Sequence, residues 1–214
     1  MASNTTRHLD NDIELLRQET LWQGHFRIER ITLRHRRHDG TWTPPYTREV
    51  FERGHAVAVL PYDPKLDRVV LIEQLRPPRL LAGRAARELE IVAGIVEAGE
   101  TDEQVAEREL MEEAGLRPLS LRRLFSYFPS PGGASETIAL YLAEVDAAEA
   151  GGYHGLAKEH EEIRVLAVPA QEAFRLLDRG AVENATAILA LQWLALHHDS
   201  LRSERGLPPA PSAG

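Results

Sequence analysis

Three glutamates, Glu109, Glu112 and Glu113, stand close together in a short segment that reads as a helix between Thr101 and Gly115. At about 100° per residue, all three fall within roughly a third of a turn. Ala106, Leu110 and Ala114 form the adjoining apolar stripe, so the carboxylates flank the buried face. Like charges four residues apart destabilise a helix, and a compensating cation is called for. Hard divalent ions take oxygen ligands of this kind, which makes a Mg²⁺ site the first expectation. The competing reading is a solvated acidic face, the common fate of a charge run.

The elements that must hold these acids are legible around them. Thr101 is a good N-cap, Gln104 completes a capping box, and Gly115 supplies a permissive stop. Upstream lie Gly94 and, six residues on, Glu100; then come Arg108-Glu109-Leu110, Glu112-Glu113 and Gly115-Leu116. Together they fill every fixed position of G-x5-E-x7-R-E-U-x-E-E-x-G-U, with U a bulky aliphatic residue. This pattern resembles the Nudix box, a loop-helix motif whose confirmation is its structural context. Arg108 is expected to pair with a box glutamate and fix its rotamer. Glu100 is expected to stabilise the loop, and Glu97 to be solvated.

Composition bounds the rest. A chain of 214 residues can bury one sizeable core with a small appended lobe. No apolar run is long enough to cross a bilayer, and the N-terminal MASNTTRHLDND lacks the apolar region of a secretory signal. The absence of cysteine excludes disulfides and thiolate metal sites. A cytoplasmic protein without a membrane partner is expected. The net charge of −8 argues against nucleic acid as a partner, so an anionic substrate must be met locally by placed arginines and bound cations.

Taken in order, residues 1–20 read as polar, with a helical turn around Ile13 to Leu16. From Leu21 the pattern is extended, Asp39-Gly40 marks a hairpin, and Thr41 to Phe51 is the returning strand, interrupted by Pro44-Pro45. Strands follow at His55 to Leu60, Arg68 to Leu75, Glu88 to Ala93, Leu121 to Tyr127, Thr137 to Val145 and Ile163 to Val168. Pro77 to Arg87 and Ala147 to Glu162 read as loops, the second long enough to suggest function. Helices are expected over Ala170 to Asp178 and Asn184 to His198. The fold class is α/β, an α/β/α sandwich with a mixed sheet plus a small N-terminal β lobe. The domain reading is 1–54 for the lobe, 55–205 for the main domain and 206–214 for a disordered tail.

From about Arg48 to His198 the chain is similar to the bacterial ADP-ribose pyrophosphatase family of Nudix hydrolases. The resemblance rests on REVFERGHAVAVLPYDP, VVLIEQLR, ELEIVAGIVEAGE, SPGGASE and HGLAKEHEEIRV, and on Pro131, sixteen positions after Gly115. It implies cleavage of ADP-ribose to AMP and ribose 5-phosphate with Mg²⁺, or Mn²⁺ in its place, at two or more ions per site. It also implies a homodimer that exchanges the N-terminal lobe. Carried over residue by residue, the metal ligands would be the Ala93 carbonyl, Glu109, Glu112, Glu113 and Glu161, and the general base Glu159. The residues themselves leave Glu159, Glu161 and Glu162 open as the base, since a base must first meet geometric reach. The resemblance further assigns substrate contacts to Arg48, Glu49, Arg53, Arg76, Ile95, Ser130, Pro131, Gly132 and Glu136. Arg76, directly after a strand, is suited to a bidentate phosphate contact. Trp22, Phe26 and Trp42 are candidates to stack on adenine.

One stretch departs from the family pattern. PPRLLAGRAAR bears arginines where a more acidic, polar loop is expected, which bears on fine substrate preference. The competing functions are hydrolysis of another nucleotide sugar, such as GDP-mannose, and a catalytically silent nucleotide-binding regulator. The complete box disfavours the silent module, and Pro131 with the SPGG loop favours ADP-ribose.

Overall fold

The computed structural model describes residues 7–208; the first six residues, and the expected tail beyond 208, lie outside this range. The chain divides into two compact units: Met1–His55 with Phe128–Thr137, and Ala56–Tyr127 with Ile138–Gly214.

The first unit is an antiparallel sheet of β1 (Arg7–Asp10), β2 (Ile13–Gln23), β3 (Arg27–His35) and β4 (Tyr46–Glu52), in chain order. The helical turn expected at Ile13 to Leu16 is instead the start of β2, with Ile13 opposite His35 and Leu15 opposite Leu33. Cross-strand polar pairs hold it there. Arg34 Nε donates to Glu14 Oε2 at 2.6 Å, and Thr20 Oγ1 to Glu29 Oε1 at 2.9 Å. The turn at Asp39-Gly40 forms, with Thr41 N donating to Asp39 Oδ1 at 2.9 Å. Because proline cannot donate to a ladder, β4 begins only after Pro44-Pro45. The segment 128–137 returns to this unit beside the end of β4. Phe51 N donates to Gly133 O at 2.8 Å, and Ser135 Oγ to Glu52 Oε2 at 2.6 Å.

The second unit is built on eight strands: β5 (Ala56–Asp63), β6 (Arg68–Leu75), β7 (Arg87–Glu90), β8 (Val92–Ile95), β9 (Ser120–Tyr127), β10 (Ile138–Glu144), β11 (Tyr153–His154) and β12 (Ile163–Pro169). Their order is β11-β12-β6-β5-β10-β9, with β7 added to β6 and β8 to β5. Only the β5–β10 pair is parallel among these described strands. β5 and β6 pair only at Tyr62–Val69 and Asp63–Arg68 and then part. Past that fork, β8 takes Ala56 to Val59 and β7 takes Ile72 to Leu75.

Side-chain alternation sorts the strand residues onto two faces. Val57, Val59, Val70, Ile72 and Val92 pack with Val105, Ala106, Leu110 and Ala114 of α2 (Asp102–Ala114). Ala58, Leu60, Val69 and Leu71 pack on the other face with Ala173 of α3 (Ala170–Asp178) and Ala187, Ala190, Leu191 and Leu194 of α4 (Ala185–Ser203). Burial on both sides explains the near-continuous apolar runs of β5 and β6. Each fully buried Val, Leu or Ile contributes about 1.5–3 kcal/mol, so the sheet is a rigid platform. The second unit is thus a helix–sheet–helix sandwich with a mixed sheet, and the first is a small antiparallel sheet.

Other boundaries move for local reasons. α4 starts at an Asn184 cap, whose Oδ1 accepts from Ala187 N at 3.0 Å. It runs to Ser203 rather than stopping at His198, because its last turns are tied to the β5–β6 turn. His198 Nε2 lies 2.6 Å from Asp67 Oδ1, and Arg202 Nη1 donates to Pro64 O at 3.0 Å. The loop at 77–87 contains a single helical turn, α1 (Pro78–Leu81), and the loop at 147–162 contains β11 and a 3₁₀ turn, Ala157–Glu159. No helix among the described residues is long and apolar enough to cross a membrane.

Candidate active site

The acidic helix is set by its ends. Thr101 and Gln104 form both bonds of the capping box, and Gly115 closes α2 in the left-handed region at φ 66°. The helix then lies with Leu110 in the core and Glu109, Glu112 and Glu113 at its border. Glu113 is only 4% exposed, and its Oε2 accepts from Ala93 N at 3.0 Å. An extended residue directs its N–H and C=O to the same side. The Ala93 carbonyl is therefore turned toward the acidic helix as well, away from β5.

Arg108 gathers the box. Its Nε and Nη2 each reach Glu100 at 2.9 Å, a bidentate clasp, and Glu100 Oε2 also accepts from Glu97 N at 3.1 Å. Its Nη1 donates to Glu109 at 2.6 Å and to Glu112 at 3.3 Å, while Nη2 approaches the Ile95 carbonyl at 3.4 Å. The Arg108 bond holds the half-buried Glu100 below its usual carboxylate range. Gly94 is required by closeness: a Cβ there would lie 1.7 Å from Glu109 Oε1. The Glu109 carboxyl thus rests on the backbone of β8.

The late loop is fastened to the same helix. Gly155 N donates to the Glu112 carbonyl at 3.0 Å, with Gly155 at φ 97°. Its close neighbour is Glu161, whose Cβ would be 2.9 Å from a Cβ at position 155. Glu161 acts on both box acids through its charge. Burial pushes Glu109 up, Arg108 opposes this, and Glu112 and Glu161 add to it. Burial pushes Glu113 well up; the Ala93 N–H and Arg76 oppose this, and Glu109 and Glu161 reinforce it. Glu162 turns away and pairs with Arg87 at 3.1 Å. Glu159 closes the 3₁₀ turn, and its side chain lies outside the described part of the structure.

Arg76 shares this acidic neighbourhood, because its charge and those of Glu113 and Glu161 act on one another. Its guanidinium is held by Glu90, a residue the sequence reading passed over. Nε donates to Glu90 Oε1 and Nη2 to Glu90 Oε2, both at 2.9 Å. Strand alternation could have found it: Val92 faces α2, so Glu90 two residues earlier does too.

The remaining candidates belong to the first unit. Arg48 stacks over the Tyr46 ring at 4.6 Å and donates to the Thr47 carbonyl. Glu49 is an exposed partner of Arg30 at 3.4 Å. Arg53 lies 3.2 Å from Glu136, whose burial pushes its carboxyl up. Ser130 supplies the carbonyl that closes the exposed Pro131-Gly132 turn, accepting from Gly133 N and Ala134 N at 3.1 and 2.9 Å. Of the aromatics, Phe26 packs edge-on against Phe51 and under Arg53, and Trp42 lies against Arg34 and Arg36. Trp22 is 55% exposed.

The donor set fits a divalent metal. It offers only oxygens, a buried carboxylate with like charges beside it, and a glycine cradle for another. Among the described residues no three acids or histidines close into a metal cage; Arg108 draws Glu109 and Glu112 onto itself.

A loop and helix of this geometry on a mixed sheet between helices define a class. Residues 52–191 match the NUDIX domain, and the chain belongs to that family. It is 45% identical over 194 residues to an ADP-ribose pyrophosphatase of Escherichia coli (strain K12), covering 91% of this chain and 93% of that protein. It is 42% identical to an ADP-ribose pyrophosphatase of Haemophilus influenzae, covering 89% of each. A GDP-mannose pyrophosphatase of Cronobacter sakazakii is 35% identical, over 86% of this chain and 96% of that protein. Nudix pyrophosphatases of this kind use divalent metal ions.

Proposed function

We propose that this chain hydrolyses the pyrophosphate of ADP-ribose to AMP and ribose 5-phosphate. One observation carries the chemistry: Glu109 rests against the Gly94 backbone while the buried Glu113 is held by Ala93 N–H, so two box carboxylates meet one strand end with burial pushing both up. Higher identity to ADP-ribose pyrophosphatases than to the GDP-mannose enzyme favours this substrate.

In this reading Glu109, Glu112, Glu113, Glu161 and the Ala93 carbonyl hold divalent metal, Mg²⁺ or Mn²⁺ in its place, at two or more ions per site. When bound, the ions neutralise the pyrophosphate and polarise the phosphorus under attack. The protein's own groups do the rest. Arg108 and Gly94 fix the Glu109 rotamer, Ala93 N–H fixes Glu113, and Arg76 binds a phosphate oxygen. Glu159 takes the proton of the attacking water as its oxygen bonds to phosphorus and the anhydride P–O bond breaks. Arg48, Glu49, Arg53, Ile95, Ser130, Pro131, Gly132 and Glu136 contact the nucleotide sugar, and the homodimer implied by the resemblance belongs to the same proposal.

A panel of nucleoside diphosphate sugars with Mg²⁺, products resolved by chromatography, tests it. AMP and ribose 5-phosphate from ADP-ribose, at a higher kcat/KM than GDP-mannose, is the expected result. Preferential GDP-mannose cleavage refutes the substrate, and no turnover of any member supports a silent module. Light scattering of the eluted protein tests the dimer, and Glu159→Gln against Glu161→Gln tests the base.

A further inference from the structure

We infer that Glu90 is a positioning residue, which holds Arg76 off the metal-binding acids and presents it to the substrate's phosphate. This rests on the role proposed above for Arg76. The alternation that buries Val70 and Ile72 beneath α2 carries Gln74 and Arg76 to the same face. On β7 it brings Glu90 there too, opposite Ile72 in the ladder. Glu90 is 3% exposed and satisfied by three donors: Arg76 Nε, Arg76 Nη2 and Gln74 Nε2, the last at 3.1 Å. Such a pair is weak evidence for stability, since taking the Glu90 charge out of water costs about what its attraction to the half-exposed Arg76 returns. Its product is geometry. A guanidinium has five N–H groups, and the clamp uses two, leaving the others for an incoming anion. Arg76 N also donates to Ala86 O at 2.7 Å, so the clamped side chain has a fixed root.

The alternative partners explain why a clamp is needed. Glu113 and Glu161 act on Arg76 through their charges, and both belong to the metal-binding set. An Arg76 released by Glu90 would pair with them, withdrawing from the phosphate and competing with the metal. The test is a double-mutant cycle of Glu90→Gln and Arg76→Lys, since lysine cannot make the bidentate bond. Kinetics on ADP-ribose at saturating Mg²⁺ are read alongside Mn²⁺ binding without substrate. Glu90→Gln should raise KM about tenfold, as for loss of one charge-assisted bond, with kcat changed less than about threefold. It should also weaken Mn²⁺ binding, and in the Arg76→Lys background both effects should vanish. If Glu90→Gln does not fold, Glu90→Asp is read through the same cycle, since its shorter side chain cannot reach both nitrogens. Multiplicative effects of the two changes, or a KM within twofold of wild type, overturn the inference. Wild-type turnover of ADP-ribose is the control: its absence refutes the proposed function, whereas its presence with independent variants refutes only the role of Glu90.

Discussion

A methyl group added at position 94 would sit 1.7 Å from Glu109 Oε1 and 2.0 Å from its Cδ. Ordinary contact begins at 3.4 Å, so in Gly94→Ala the carboxyl has to withdraw by about as much again as the present gap. The backbone itself tolerates alanine, because Gly94 is absent from the left-handed region and pairs with Val57 as an ordinary strand residue. The moving group is the far end of a side chain, and alanine restricts the unfolded chain by about 0.4–1 kcal/mol. That gain offsets much of the lost Arg108–Glu109 bond, and the net stability change should stay within about 1 kcal/mol. The chemistry has no such compensation. Misplacing a group that positions the reacting atoms by about 1 Å costs about a hundredfold in rate, about 2.7 kcal/mol of barrier. The expected result is a thermal midpoint within a few degrees of wild type, Mn²⁺ binding clearly weakened, and kcat/KM reduced at least about a hundredfold. Gly94→Ala with turnover within threefold of wild type would refute the placement of Glu109, and with it the cradle reading.

Other perturbations separate the remaining parts. Glu113→Gln should abolish Mg²⁺-dependent turnover with the circular dichroism spectrum unchanged; turnover near wild type removes Glu113 from the metal set. Gly155→Ala forces a φ of 97° on alanine and pushes against Glu161, so it should destabilise by about 1–3 kcal/mol in urea and lower kcat. In the first unit, Ser135→Ala removes the bond that, with Gly54 N–H, holds Glu52 below its usual range. A lowered folded-state value stabilises above the unfolded carboxylate range, near pH 4.5, and this stabilisation fades as pH falls through the folded value. The variant should therefore lose about 1–2 kcal/mol at pH 7, with the difference from wild type shrinking below about pH 4.5.

The sequence declares its elements where burial is complete. RVVLIEQL reads as a strand and is one, because both faces of β6 are covered. The capping box of α2 is visible because Thr101 and Gln104 act within one turn of chain. β2 was hidden for the opposite reason. Its support is Glu14 on Arg34 and Thr20 on Glu29, pairs that exist only once the register with β3 is known. In the site, Glu100, Arg108 and Glu109 are tied by spacing along one loop and helix, and spacing is what a sequence displays. Glu90 reaches Arg76 across a strand ladder, and Glu161 reaches the box acids through a loop turn at Gly155. Alternation along the chain shows which face Glu90 occupies, but its pairing with Arg76 depends on the β6–β7 register, which no local pattern displays.

The return of residues 128–137 to the first unit has a consequence for synthesis on the ribosome. Those residues supply Gly133 O to Phe51 N, Ser135 to Glu52 and Glu136 to Arg53. Although the first unit begins at the N-terminus, it cannot finish folding until more than half the chain has been made. At about 5–20 residues per second, its four strands wait several seconds for their last segment. Until then the end of β4 lacks those partners, and an unpaired strand edge is where chains in the making associate. A nascent chain stopped before Phe128 should therefore show a protease-sensitive N-terminal sheet that becomes protected once the chain has emerged past Thr137.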